Sequence, residues 1–140
     1  EVEAIERHGE EPRILRFDSE QMELDQLILL IKEFESNNYN SLGIICKTQD
    51  QANHLHGILK RDFSIHLLEA SSVAFGTGIV VTTAHLAKGL EFDSVLVPFC
   101  SETNYKSEPD RQMLYVACTR AMHQLTLTCS GRISHLLTEK

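Results

Sequence analysis

Thr83, His85, Lys88, Gly89 and Glu91 place a hydroxyl, an imidazole, an ammonium, a glycine and a carboxylate within nine residues. An apolar run, Ile79-Val-Val, leads into this block and a second, Ser94-Val-Leu-Val, leaves it. The pattern reads as strand, polar loop, strand, with the loop built to hold a polar ligand. Thr83 and His85 can reach phosphate oxygens, Lys88 supplies a point charge, and Gly89 permits a tight turn or a close backbone approach. Downstream, Leu114-Tyr-Val-Ala-Cys-Thr-Arg-Ala121 reads as a helix whose last turn presents Arg120. A guanidinium is planar, permanently charged and multiply donating, which suits charge developing on a transferring γ-phosphoryl group. Each residue also has a plain structural use. A histidine near a strand end is more often structural, and Glu91 can pair with Lys88 on the surface. Arg120 can simply favour a helix C-terminus, an effect worth under about 1 kcal/mol.

A third group lies earlier. Leu42-Gly-Ile-Ile-Cys46 is a short continuous apolar run of the kind found inside a parallel sheet. Lys47, Thr48 and Gln49 follow it, and in open α/β sheets ligands bind beyond the carboxyl ends of strands. The competing reading is a solvated turn.

Other elements must carry these groups. Arg13–Phe17 reads as a short strand, and Asp18 as a helix N-cap with Gln21 in capping-box position. Leu24, Leu27, Ile28, Ile31 and Phe34 then form one apolar helical face that ends at Asn37-Asn38. A second helix runs through Ala52, Leu55, Ile58 and Leu59, and Ile65–Leu68 is a short strand. Phe92 should pack inward. Residues 100–107 read as a mobile polar loop before a helix that starts at Glu108-Pro109-Asp110, with Pro109 at its first position. That helix buries Met113, Leu114, Val116, Ala117 and Ala121, and Tyr115 and Thr119 support it. Leu125-Thr-Leu-Thr-Cys129 alternates as a closing strand, and Gly131 precedes a short terminal helix.

The chain has 140 residues, 42% hydrophobic and 24% charged, which suits one soluble globular domain. Its net charge of -7 resides entirely in residues 1–35, while residues 36–140 are neutral. A neutral body with local basic groups can still meet a phosphate backbone, with salt sensitivity. No apolar run has membrane-spanning length, so no membrane contact is expected. The four cysteines form no Cys-x-x-Cys pair, so buried thiols and a cytoplasmic location are expected, and no metal site. Residues 1–12 read as a lead-in or linker and 13–140 as the domain.

The blocks Thr83–Asp93 and Leu114–Ala121 resemble motifs V and VI of superfamily 1 DNA helicases of the UvrD/Rep type. The Lys-Gly-Leu-Glu-Phe-Asp and Tyr-Val-Ala-Cys-Thr-Arg-Ala-Met-His wording is most similar to the helicase IV/HelD-like branch. The resemblance implies an α/β, RecA-like three-layer fold with a mostly parallel central sheet. It implies that Lys88, Gly89, Glu91 and Arg120 meet the nucleotide, Glu91 at its ribose and Arg120 as the catalytic arginine finger. Lys47, Thr48, Thr83 and His85 would meet single-stranded DNA, although Lys47 and Gln49 stand where the family has arginine and asparagine. No Gly-x-x-x-x-Gly-Lys-Ser/Thr occurs in the chain. ATP and Mg2+ would therefore be held mainly by an N-terminal RecA-like domain, with this chain as its second lobe (2A), inactive alone. The short connection from Glu69 to Gly78 leaves no room for the large 2B insertion of Rep and UvrD. It also favours the alternative implied by the HelD-like branch, a motor lobe acting on RNA polymerase.

Overall fold

The computed structural model describes residues 11–69 and 78–138. The readings of residues 1–12 and of the connection between Glu69 and Gly78 rest mostly on residues outside those described. Six strands form one sheet: β1 (Arg13–Phe17), β2 (Ser41–Cys46), β3 (His66–Leu67), β4 (Gly78–Thr83), β5 (Phe92–Val97) and β6 (Ala121–Ser130). Their order is β1-β6-β5-β2-β4-β3, and every pairing is parallel. All carboxyl ends therefore share one edge of the sheet, and all amino ends the other.

Helices α1 (Glu20–Glu35) and α2 (Gln49–Leu59) cover one face, where Leu27, Ile31 and Leu55 meet Ile44, Val81 and Leu96. Helix α3 (Glu108–Cys118) covers the other, where Leu114, Ala117 and Cys118 meet Ile45, Val80, Val95 and Leu127. The strand centres are buried on both faces, the expected state of a parallel sheet between helix layers. The chain is α/β with a RecA-like arrangement of three layers.

Several local expectations need correction. The cap of α1 is Ser19, whose hydroxyl accepts from the Met22 amide, and not Asp18, whose carboxylate accepts from the exposed Arg16 guanidinium. Pro109 occupies the second position of α3, after Glu108; the capping box pairs Ser107 with Asp110. Tyr115 is half exposed. Ala121 lies in β6, not on α3. The strand β6 runs for ten residues and does not alternate in exposure: Thr126 and Thr128 are as buried as Leu125 and Leu127. Helix α1 covers their side, and Glu23 accepts from the Thr128 hydroxyl at 2.6 Å. The segment 100–107, expected to be mobile, is tied down. Tyr105 is buried, its amide donates to the Ser101 carbonyl, and Ser101 bridges to Ile133. The terminal helix is a single 3-10 turn, His135–Leu137.

Phe92 does pack inward, as expected, and its partner is a glycine. A Cβ on Gly43 would stand 2.5–2.8 Å from the Phe92 ring, so β2 carries no side chain where the ring lies. The ring thereby fixes where the 84–91 loop rejoins the sheet.

Candidate functional site

The expected site residues divide between the two edges. At the carboxyl edge, Thr83 ends β4 buried, and its hydroxyl accepts from the Leu86 amide at 3.2 Å. The turn that follows closes with Ala87 N–H on the Thr83 carbonyl and Leu90 N–H on the Ala87 carbonyl. His85 projects from it, exposed to solvent. The same edge holds Lys47 and Thr48, just past β2. Thr48 caps α2, accepting from the Gln51 amide at 3.1 Å. Its hydroxyl therefore already has a structural task, although the residue is exposed.

Lys47 is more deeply engaged. Its ammonium lies 2.9 Å from Asp110 Oδ1, donates to the Asn104 carbonyl, and sits 5.7 Å from the centre of the Tyr105 ring. Its side chain keeps 23% of its surface exposed, and that of Asp110 11%. Burial would push the Asp110 carboxyl up. The Lys106 amide, the Lys47 ammonium and Ser107 outweigh it and hold the group well below the usual carboxylate range.

The loop 84–91 then crosses to the amino edge. Lys88 and His85 line a pocket of about 230 Å³ with Ala84, Gln112, Met113 and Val116, so Lys88 shares a surface with His85. Gly89 has φ +84, with nothing within 4 Å of an added Cβ. The glycine is required by backbone conformation and not by crowding.

At the amino edge the backbone sets Glu91 beside Arg120. The Phe92 amide donates to the Arg120 carbonyl at 2.9 Å, and Phe92 pairs with Ala121 in register. Arg120 lies in the turn after α3, beyond the C-cap Thr119, and is partly buried. Its guanidinium donates from Nε to the Val116 carbonyl at 3.1 Å, from Nη1 to the Leu90 carbonyl at 3.3 Å, and from Nη2 to Thr119 Oγ1 at 3.2 Å. The arginine thus satisfies a last-turn carbonyl of its helix while resting against the loop that carries Glu91. Glu91 itself is exposed.

Three features escape a reading by motif. Asp110 partners Lys47; Ser107-x-x-Asp110 is legible as a helix cap, but nothing local shows that its second oxygen meets a lysine after β2. Asp93 accepts from the Asn40 amide at 2.7 Å and pins the start of β2 to β5, while the exposed His123 stacks on Tyr39 next to it. Glu23, fully buried, accepts from the amide of Phe99, a residue held at φ 63 where the chain leaves β5. Among the described residues no group of three or more His, Cys, Asp or Glu could hold a metal ion, and no helix is long and apolar enough to cross a membrane. The four cysteines are buried and form no disulfide, and burial pushes Cys46 up to about 12.

Residues 78–128 match the model of the UvrD-like helicase C-terminal domain. The chain is 30% identical over 88 residues to a probable DNA helicase II homolog of Rickettsia felis, a stretch covering 54% of this chain and 14% of that protein. It therefore spans about one seventh of the length of such curated relatives. The crystal structure of the C-terminal domain of a possible DNA helicase from Lactobacillus plantarum WCFS1 superposes with a TM-score of 0.82 at 34% identity, over 92% of this chain and 80% of that one. The C-terminal domain of the DEAD-box protein Dbp5 shares the fold alone, with a TM-score of 0.61 at 16% identity over 94% of this chain and 79% of that one.

Proposed function

From the premise that this chain belongs to the UvrD-like helicase C-terminal domains, we propose that it is the second motor lobe of an ATP-dependent DNA helicase or translocase of superfamily 1. In this reading its two sheet edges have different ligands. The carboxyl edge, through His85, Thr83, Thr48 and Lys47, meets single-stranded DNA. The amino edge, through Glu91 and Arg120, meets ATP held by an N-terminal RecA-like domain of the same protein. The observation that carries the reading is the backbone bond between Phe92 and Arg120. It brings the backbone next to Glu91 against that of Arg120, which supports a carboxylate for a ribose hydroxyl and a guanidinium for a γ-phosphate acting from one edge.

The chemistry follows from what each group can do. Arg120 gives up the Leu90 carbonyl and turns its fork to the transferring phosphoryl group, where positive charge stabilises the transition state. Glu91 accepts a hydrogen bond and orients the nucleotide. Mg2+, when bound with the nucleotide, would supply positive charge to its phosphates. In this reading its ligands would come mainly from the N-terminal RecA-like domain. The Lys88 ammonium adds charge beside the loop and can follow either ligand. This chain alone would not hydrolyse ATP.

The two-edge assignment is tested in the full-length protein with His85→Ala and Glu91→Ala. His85→Ala should weaken single-stranded DNA binding by about five- to tenfold and leave nucleotide affinity unchanged, since one polar contact is worth about 1 kcal/mol. Glu91→Ala should do the reverse. Equal effects of both variants on both ligands would remove the separation of edges.

A further inference from the structure

Lys47 is the one expected strand-binding group whose charge is already neutralised within the fold. Its partner Asp110 stands at the N-terminal turn of α3, and Arg120 follows the C-terminal end of the same helix. With 11 residues, α3 is about 16 Å long and spans from one edge of the sheet towards the other. Asp110 has two tasks, one for each oxygen. Oδ2 accepts from the Lys106 and Ser107 amides and closes the capping box, while Oδ1 faces the Lys47 ammonium. The Lys47 side chain is still partly open to solvent.

The geometry points to Asp110 as a positioning residue that competes with a DNA phosphate for Lys47 and thereby reports strand occupancy along α3 to Arg120. This deepens the reading of the carboxyl edge as the strand side and rests on it. A phosphate and a carboxylate carry the same charge towards an ammonium, so exchange between them is nearly balanced and can go either way. In the resting arrangement Lys47 ties the N-terminal turn of α3 to β2 through Asp110 and to residues 100–107 through the Asn104 carbonyl. When Lys47 turns to a phosphate, that turn keeps its cap but loses its tie to the sheet. The helix is then held by Leu114, Ala117 and Cys118 against the core. Its far end carries Arg120, which must leave the Leu90 carbonyl to act.

The test uses the full-length protein and Asp110→Asn. Asparagine keeps an acceptor for the two amides, so the cap survives, and turns an amide N–H₂ instead of a charge towards Lys47. Affinity for a single-stranded oligothymidylate is measured by fluorescence anisotropy without nucleotide. ATP turnover is measured with and without saturating oligonucleotide. Asp110→Asn should tighten DNA binding, on the order of three- to tenfold, because Lys47 no longer leaves a partner. The basal kcat should rise towards the DNA-stimulated rate, so that stimulation by DNA shrinks, with KM for ATP unchanged. In the Lys47→Met background the gain in affinity should vanish. Ser107→Ala, which weakens the same cap without touching the charge, should reproduce neither effect. Unchanged or weaker DNA binding by Asp110→Asn, or the same loss of stimulation from Ser107→Ala, overturns the proposal. A Lys47→Met variant with undiminished DNA affinity would instead remove Lys47 from the strand path.

Discussion

Arg120 rests on three acceptors, the Val116 and Leu90 carbonyls and the Thr119 hydroxyl. That is the posture of a guanidinium capping its own helix, and its place near the helix C-terminal end is legible from the sequence, although it lies just beyond the last turn that the sequence suggests. Its nearness to Glu91 is not, because it depends on β5 and β6 being neighbours in the sheet. Glu23 shows the same limit at a buried site. In sequence it is an ordinary acidic residue in a first helical turn, yet it is fully buried and joins α1 to Phe99 and Thr128. Burial raises its pKa above the ordinary carboxylate value, against the pull of the bonds from Thr128 and Phe99. A raised folded-state pKa contributes stability that is fully present below the ordinary value and is lost as pH rises through the raised one. Glu23→Gln cannot make that loss. Its urea midpoint relative to the unaltered chain should therefore improve as pH rises from about 4 to 7. Parallel midpoints across that range would show that the carboxylate is not strained by burial. Asp110 has the opposite sign, and its contribution fades only in acid.

The elements were the most readable level. Apolar runs at β2, β4 and β5 and helical spacing in α1 and α2 place these elements within a residue or two, because burial dictates both the spacing and the fold. The ends depend on capping chemistry, where Ser19 and Asp18 are equally plausible by type and backbone geometry selects one. The strand β6 misled because Thr126 and Thr128 look like a solvent face, whereas α1 covers them. The seam between Gly43 and Phe92 was half visible: the inward aromatic was expected, but the glycine that receives it lies on another strand. Gly43→Ala should therefore destabilise the chain by about 1–3 kcal/mol, the usual cost of overpacking a core. The urea midpoint measures this, and Gly43→Ala with Phe92→Leu should recover part of it. A neutral Gly43→Ala would mean that the ring is free to move and does not anchor the loop.

At the scale of the molecule, an all-parallel sheet sorts chemistry by edge. The loop 84–91 starts at the carboxyl edge and finishes at the amino edge, so one short motif serves both. Helix α3 runs between them with Lys47 near its start and Arg120 after its end. The motif spacing made the two blocks recognisable, but the division of their residues between edges required the strand order β1-β6-β5-β2-β4-β3. The central claim is that Arg120 is the group this lobe contributes to phosphoryl transfer. It is tested by steady-state ATP hydrolysis of the full-length protein, with and without single-stranded DNA, against its Arg120→Ala variant. The account predicts DNA-stimulated turnover that falls by on the order of a thousandfold or more in the variant, with nucleotide binding retained. Hydrolysis left intact by Arg120→Ala would contradict it.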